Sequence, residues 1–382
     1  MSDRIQKIVT HLPDLKSVSE VCDTAEHRLA QGDATFVADL GIALAERYGS
    51  SATPIWQYRS VFNHLLRLLA MTPGPENVEQ ALRLLRAASR GNRKVARHAA
   101  SLLADGQAAK DLGIVFAGGS SRAAAAASDE FRACLLQELL LRNVTIAELS
   151  AIHAWATSPH WRHHPLAWLP LELSVTEERP PLPSYSMGGT AYALPYGSEG
   201  GPNITLGSVT PLPQAIDTTT AEFRSAAATA VANWAEESNG RSEAGSFELA
   251  APVEAAFLPG LLASLGLECL KSVGSDKDFA LSACRPENVW RMLFAAASTG
   301  GAYNDGVYGA YGRLAAWRSL AALSGTSTAA PFGEVEQNTQ KCDWYSFGAA
   351  TEWFESVAWD IGLVSVAPGA RRIAVLAATD TD

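Results

Sequence analysis

Nine prolines fall between residues 165 and 213, and nothing else in this 382-residue chain limits its fold as sharply. Proline lacks the amide hydrogen that a helix needs, and its ring restricts the residue before it, so the stretch reads as extended or turn structure. It separates two parts with different patterns. The expected division is a helical domain over 1–157, a proline-rich connection carrying the first strands of a second domain over 158–218, and an α+β domain over 219–382.

The first part is written as short helices with stop signals between them. Ser17 and Glu20 have the spacing of a capping box, and Gly32 ends the segment they open. Asp33 caps the next segment, in which Phe36, Val37, Leu40 and Leu44 lie on one face and Gly49 is the stop. Later segments carry Val61, Leu65, Leu68 and Leu69, then Val78, Leu82 and Leu85, at helical spacing. Helices joined by short glycine-bearing turns pack as antiparallel neighbours. The half is expected to be all-α, either HEAT-like or an irregular bundle; no strict period decides between them.

Between Gln80 and Ala104 there are six basic residues and no acid. Arg83, Arg86 and Arg90 lie three and seven apart on one helix face, a candidate anion-binding face. The plainer reading is a solvated face balanced by acids from elsewhere. Residues 112–122 read either as a strand and glycine turn able to cradle phosphate, or as a loop between helices. The stretch lacks the spacing of a dinucleotide fold or a P-loop.

Four of the eight histidines, His153, His160, His163 and His164, fall within twelve residues, among Trp155, Trp161 and Trp168. His160, His163 and His164 are weak candidate metal ligands, with Glu172 or Glu178 as a further donor, but their spacing matches no zinc signature. The competing reading is a histidine–tryptophan packing cluster, and no metal or cofactor is expected.

Within the proline-rich segment, 192–195 and 204–209 read as short strands. Beyond it, helices are expected over 223–234, 257–270, 287–297, 314–323 and 352–361, with a strand at 246–250. Residues 373–378 form an unbroken apolar run, which suits a strand covered on both faces. A covered strand needs helices packed on its sheet, so the second domain is α+β or α/β. Between two of the helices, 300–313 carries five glycines with Tyr303, Tyr308, Tyr311, Asn304, Asp305 and Arg313. Glycines let a backbone approach a ligand closely, tyrosines offer hydroxyls, and Arg313 is suited to clamp an anion. Packing of the tyrosines against the core is the alternative. Asp380 and Asp382 directly follow the apolar run, where open α/β sheets gather their sites.

The formal charge is −10, which argues against nucleic acid as the main partner. The five cysteines are odd in number and far apart, as in reduced cytoplasmic proteins. No leader-like N-terminus and no apolar run of membrane-spanning length is seen, so no membrane association is expected. There is no G-x-S-x-G elbow, kinase signature set or zinc-finger spacing.

The motifs at 309–320 (GAYGRLAAWRSL), 359–363 (WDIGL) and 373–382 (IAVLAATDTD) resemble an uncharacterised bacterial family of unknown function. The resemblance covers roughly the last third of the chain and brings Arg313, Trp317 and Asp360 forward, without implying an activity. Two functions stay open. One is a cytoplasmic scaffold or binding protein with a helical interaction surface. The other is an enzyme acting on a small molecule at the domain junction, with Tyr303, Asp305, Arg313 and His164 as candidate catalytic residues.

Overall fold

The computed structural model describes residues 3–51, 54–88, 93–117, 127–195, 203–204, 212–271, 273, 279–354 and 359–381. Arg90, 118–122 and Asp382 lie outside these residues, as do most of 204–209. The chain forms two compact units. The first comprises Met1–Ala167 and Pro183–Ala191, and the second Trp168–Leu182 and Tyr192–Asp382.

The first unit is helical, as its punctuation predicts. Its helices are α1 (Asp3–His11), α2 (Ser19–Ala30), α3 (Ala34–Tyr48), α4 (Trp56–Met71), α5 (Pro75–Ala88), α6 (Arg93–Gly106), α7 (Gly113–Phe116), α8 (Asp129–Leu141), α9 (Ser150–Ala156) and α10 (Pro159–Arg162). Asp33 caps α3 by accepting from the Phe36 amide at 3.0 Å. Ser17 does not cap α2, which starts at Ser19; its hydroxyl bonds the Ser19 hydroxyl at 2.9 Å instead. Residues 112–122 read as either a strand and glycine turn or a loop between helices; Gly113–Phe116 is instead the short helix α7, because so brief an apolar run has no decisive period. Leu40, Leu44, Leu65, Leu69 and Leu84 are fully buried between α3, α4 and α5. Gly41 lets α3 and α5 close up: a Cβ there would stand 2.5 Å from Leu84 Cδ1.

A hairpin of β1 (Ser184–Ser186) and β2 (Gly189–Ala191) completes this unit, displaced from the strand expected at 192–195. Arg67 of α4 fastens it, donating to the Ser186 carbonyl at 2.8 Å, the Gly189 carbonyl and the Thr190 hydroxyl at 3.0 Å. Tyr185 reaches inward and donates to the Ser101 hydroxyl at 2.8 Å, and Ser101 donates to the buried Glu138 at 3.2 Å.

The second unit holds β3 (Asn203–Ile204), β4 (Ala215–Asp217), β5 (Arg241–Leu249), β6 (Phe279–Cys284), β7 (Asp343–Ala349), β8 (Asp360–Val366) and β9 (Arg372–Thr379). Their order across one sheet is β3-β6-β7-β8-β9-β5-β4, and every pairing is antiparallel, which makes the unit α+β. The helices are α11 (Ala221–Ala227), α12 (Ala232–Glu237), α13 (Leu258–Ser264), α14 (Pro286–Thr299), α15 (Tyr308–Ser324) and α16 (Phe332–Lys341). Phe247, Val364, Val366, Ile373 and Val375 pack on one sheet face with Leu258, Leu261 and Leu262 of α13. The α14–α15 pair covers the other face, where the Ser365 hydroxyl donates to the Leu323 carbonyl at 2.6 Å.

β9 is the covered strand expected from its apolar run, lying between β8 and β5. Among the described residues of the helix expected over 352–361 none is helical: 351–354 are turn, β8 begins at Asp360, and 355–358 lie outside the described residues. Trp353, Phe354 and Ile361 fall at helical spacing, and over so short a stretch spacing alone does not separate a helix from a turn followed by a strand. The segment expected as one helix over 223–234 is broken into α11 and α12 by a 3-10 turn at Ala228–Ala230. Among the described residues no helix is long and apolar enough to cross a membrane.

Candidate functional site

The glycine–tyrosine segment divides into an irregular turn at 300–307 and the helix α15 that follows. Gly300 and Gly306 take φ of +86° and +61°, values that side chains disfavour. Two polar side chains hold the turn. Asn304 Oδ1 accepts from the Gly301 amide at 3.0 Å and the Gly306 amide at 3.2 Å. Asp380, buried at the end of β9, accepts from the Ala302 amide at 2.6 Å and the Ser238 hydroxyl at 3.0 Å. Ser238 in turn accepts from the Tyr303 amide at 3.2 Å. Asp360, at the start of β8, accepts from the Thr379 hydroxyl at 2.6 Å. The turn that results carries Tyr303, 62 % exposed, and an exposed Asp305.

Arg313 faces inward from α15 and is fully buried. Its Nε and Nη2 each donate to the Glu177 carboxylate at 2.6 Å, and Trp317, one turn on, donates to the same carboxylate at 2.7 Å. The Ser174 amide adds a fourth bond to Glu177 at 2.9 Å, within a capping box that opens a 3-10 turn. The remaining Arg313 donors reach the Pro170 carbonyl at 3.1 Å and the Glu172 carbonyl at 2.7 Å. A guanidinium so surrounded holds 170–177 to α15. The sequence does not single out Glu177; its only local signal is the capping-box spacing Ser174-x-x-Glu177, and nothing local points to its arginine.

The histidines lie in the first unit and make separate contacts. His160 Nδ1 is 2.9 Å from Asp129 Oδ2, and His163 Nδ1 is 2.8 Å from the Pro159 carbonyl. His164 stacks on Trp161, with ring centroids 6.3 Å apart at 8°. Its Nδ1 accepts from the Leu166 amide at 3.2 Å, so its proton sits on Nε2, which donates to Glu130 at 3.2 Å. Neither ring nitrogen of His164 is free for a metal. No group of three or more His, Cys, Asp or Glu side chains able to hold a metal ion occurs among the described residues. Burial pushes all five cysteine thiols up, Cys342 to about 11 and Cys284 to about 12, which disfavours the nucleophilic thiolate.

On α5, Arg83 donates to Asp39 of α3 at 2.8 Å and also to Gln80. Arg97 of α6 is 3.4 Å from Glu130. Arg86 and Arg93 are exposed and make no ion pair among the described residues. Arg93 and Lys94 occupy the first turn of α6, which has no acid. The helix dipole disfavours cations there.

A model of a family of unknown function, DUF6183, matches residues 19–382. The chain belongs to the DUF6183 family. The match covers nearly the whole chain, where the motifs at 309–320, 359–363 and 373–382 carried a resemblance over its last third alone. The DUF6183 segment therefore includes both the α5–α6 surface and the Glu177–Arg313 pair. No curated protein and no solved structure matches the chain.

Proposed function

We propose that the protein is a binding protein whose helical unit meets an acidic protein partner through the exposed basic ends of α5 and α6. The observation that carries this reading is the uncompensated charge of Arg86 and Arg93 in a chain with ten excess negative charges. Arg93 sits where the dipole of α6 works against it, and an acidic partner would relieve that repulsion. The catalytic alternative draws less support. Arg313 and His164, two of its four candidate residues, have their polar atoms taken up by internal bonds.

The test is titration with a poly-glutamate peptide and, separately, with duplex DNA of equal charge, at low and moderate salt. Poly-glutamate binding that weakens with salt and falls at least about tenfold in the Arg86→Glu/Arg93→Glu double variant is expected. Equal binding by the double variant, or a preference for DNA, would overturn the reading.

A further inference from the structure

Helix α15 is buried along almost its whole length, and Arg318 is its one exposed side chain. Arg318 opens into a depression of about 670 Å³ on the second unit, which it shares with Glu222, Ser225, Ala226 and Thr229 of the α11 region and with Thr328.

The polar groups of this depression are arranged in an uncommon way. Arg318 and Glu222 line the same hollow, yet they form no ion pair with each other or with any other described residue. The Glu222 carboxylate lies below the ordinary carboxylate range, favoured by its own backbone amide and the Thr220 hydroxyl. Thr229 donates its hydroxyl to the Ala226 carbonyl at 2.8 Å, so its oxygen faces the hollow only as an acceptor. The hydroxyls of Ser225 and Thr328 make no bond among the described residues and are available as donors. A cation and an anion that do not pair thus line one polar depression together with two unbonded hydroxyls.

A simple anion fits this poorly, because Glu222 would repel it, and a simple cation is opposed by Arg318. A molecule carrying both charges satisfies both groups. We propose that this depression binds a small zwitterion of the amino-acid class, with Arg318 clamping the carboxylate and Glu222 accepting from the ammonium. Ser225 and Thr328 supply hydrogen bonds to the carboxylate. Arg318 suits this role because a guanidinium presents two parallel donors to a carboxylate. The site is independent of the α5–α6 surface.

The experiment follows the amide resonances of Ser225, Thr229 and Thr328 in the full-length protein. The probe is an equimolar pool of amino acids with uncharged side chains. The same pool is tested with its amines acetylated, and again with its carboxyls amidated. Saturable shifts with the free amino acids, at least about tenfold weaker with either modified pool, are expected. Arg318→Gln and Glu222→Gln should each weaken binding by a similar factor while leaving the melting temperature nearly unchanged, since both side chains are exposed. No saturable shift, equal binding of a modified pool, or undiminished binding by Arg318→Gln would each overturn the proposal.

Discussion

Arg313 and Glu177 meet through two 2.6 Å hydrogen bonds, with neither side chain exposed to solvent. A buried pair is costly to desolvate, and it holds only when its remaining donors and acceptors are satisfied. Here Trp317, Ser174, Pro170 and Glu172 satisfy them. Arg313→Met leaves the Glu177 carboxylate buried without its cation, and a loss of about 3–5 kcal/mol is expected in urea unfolding. Adding Glu177→Leu should restore part of that loss, because no uncompensated charge remains. A double variant no more stable than the single one would show that the pair does not act as a unit.

The Asp380 carboxylate anchors the turn that carries Tyr303. Asp380→Ala removes the acceptor for the Ala302 amide and the Ser238 hydroxyl. A destabilisation of about 1–3 kcal/mol is expected, with faster amide exchange at Ala302 and Tyr303 than at α16. Unchanged exchange at both amides would assign the turn's order to Asn304 alone.

The end of α15 depends on Gly325. Its φ is +79°, and a Cβ there would stand 2.5 Å from Arg372 Nη1. Arg372 is held at that place by donating to the Ala322 carbonyl at 3.2 Å and the Leu323 carbonyl at 3.3 Å, two of the last acceptors of the helix. Gly325→Ala should therefore cost at least about 1–2 kcal/mol through backbone strain alone. Chemical denaturation of the purified variant measures it.

His98 gives the first unit a dependence on pH. Burial, and then the neighbouring Arg67, lower its pKa from 6.5 to about 4. The unfolded chain therefore takes up the proton first as pH falls. The His98 contribution is constant above pH 6.5, and stability declines progressively between 6.5 and about 4. The full loss is on the order of 3 kcal/mol. His98→Gln should flatten that part of the stability profile measured by urea unfolding at pH 7 and pH 5; a profile parallel to the original would remove His98 as its source.

Much of the fold was legible because its causes are local. Asp33 lies three residues from the amide it caps, and the apolar run of β9 needs no knowledge of its neighbours to read as a covered strand. The helix expected over 352–361 misled because Trp353, Phe354 and Ile361 fall at helical intervals, although the first two belong to a turn and Ile361 to β8. The candidate loop was visible as a concentration of glycine and tyrosine, and its Asp380 anchor as an acid after a strand. That the two meet was not visible, since 78 residues separate Asp380 from Ala302.

Local sequence set where several helices of the first part start and stop, that the second part contains a covered strand, and which segments concentrate polar side chains. Those properties arise from backbone geometry and apolar period within a few residues. What the polar side chains do depends on contacts far apart in the chain. Glu177 and Arg313 stand 136 positions apart, and burial together converts two solvated charges into a structural clamp. Arg318, five residues further along the same helix, is left in solvent. One turn and a half of α15 thus separates a charge that holds the fold from one that is free to bind, because α-helical geometry turns them to different sides.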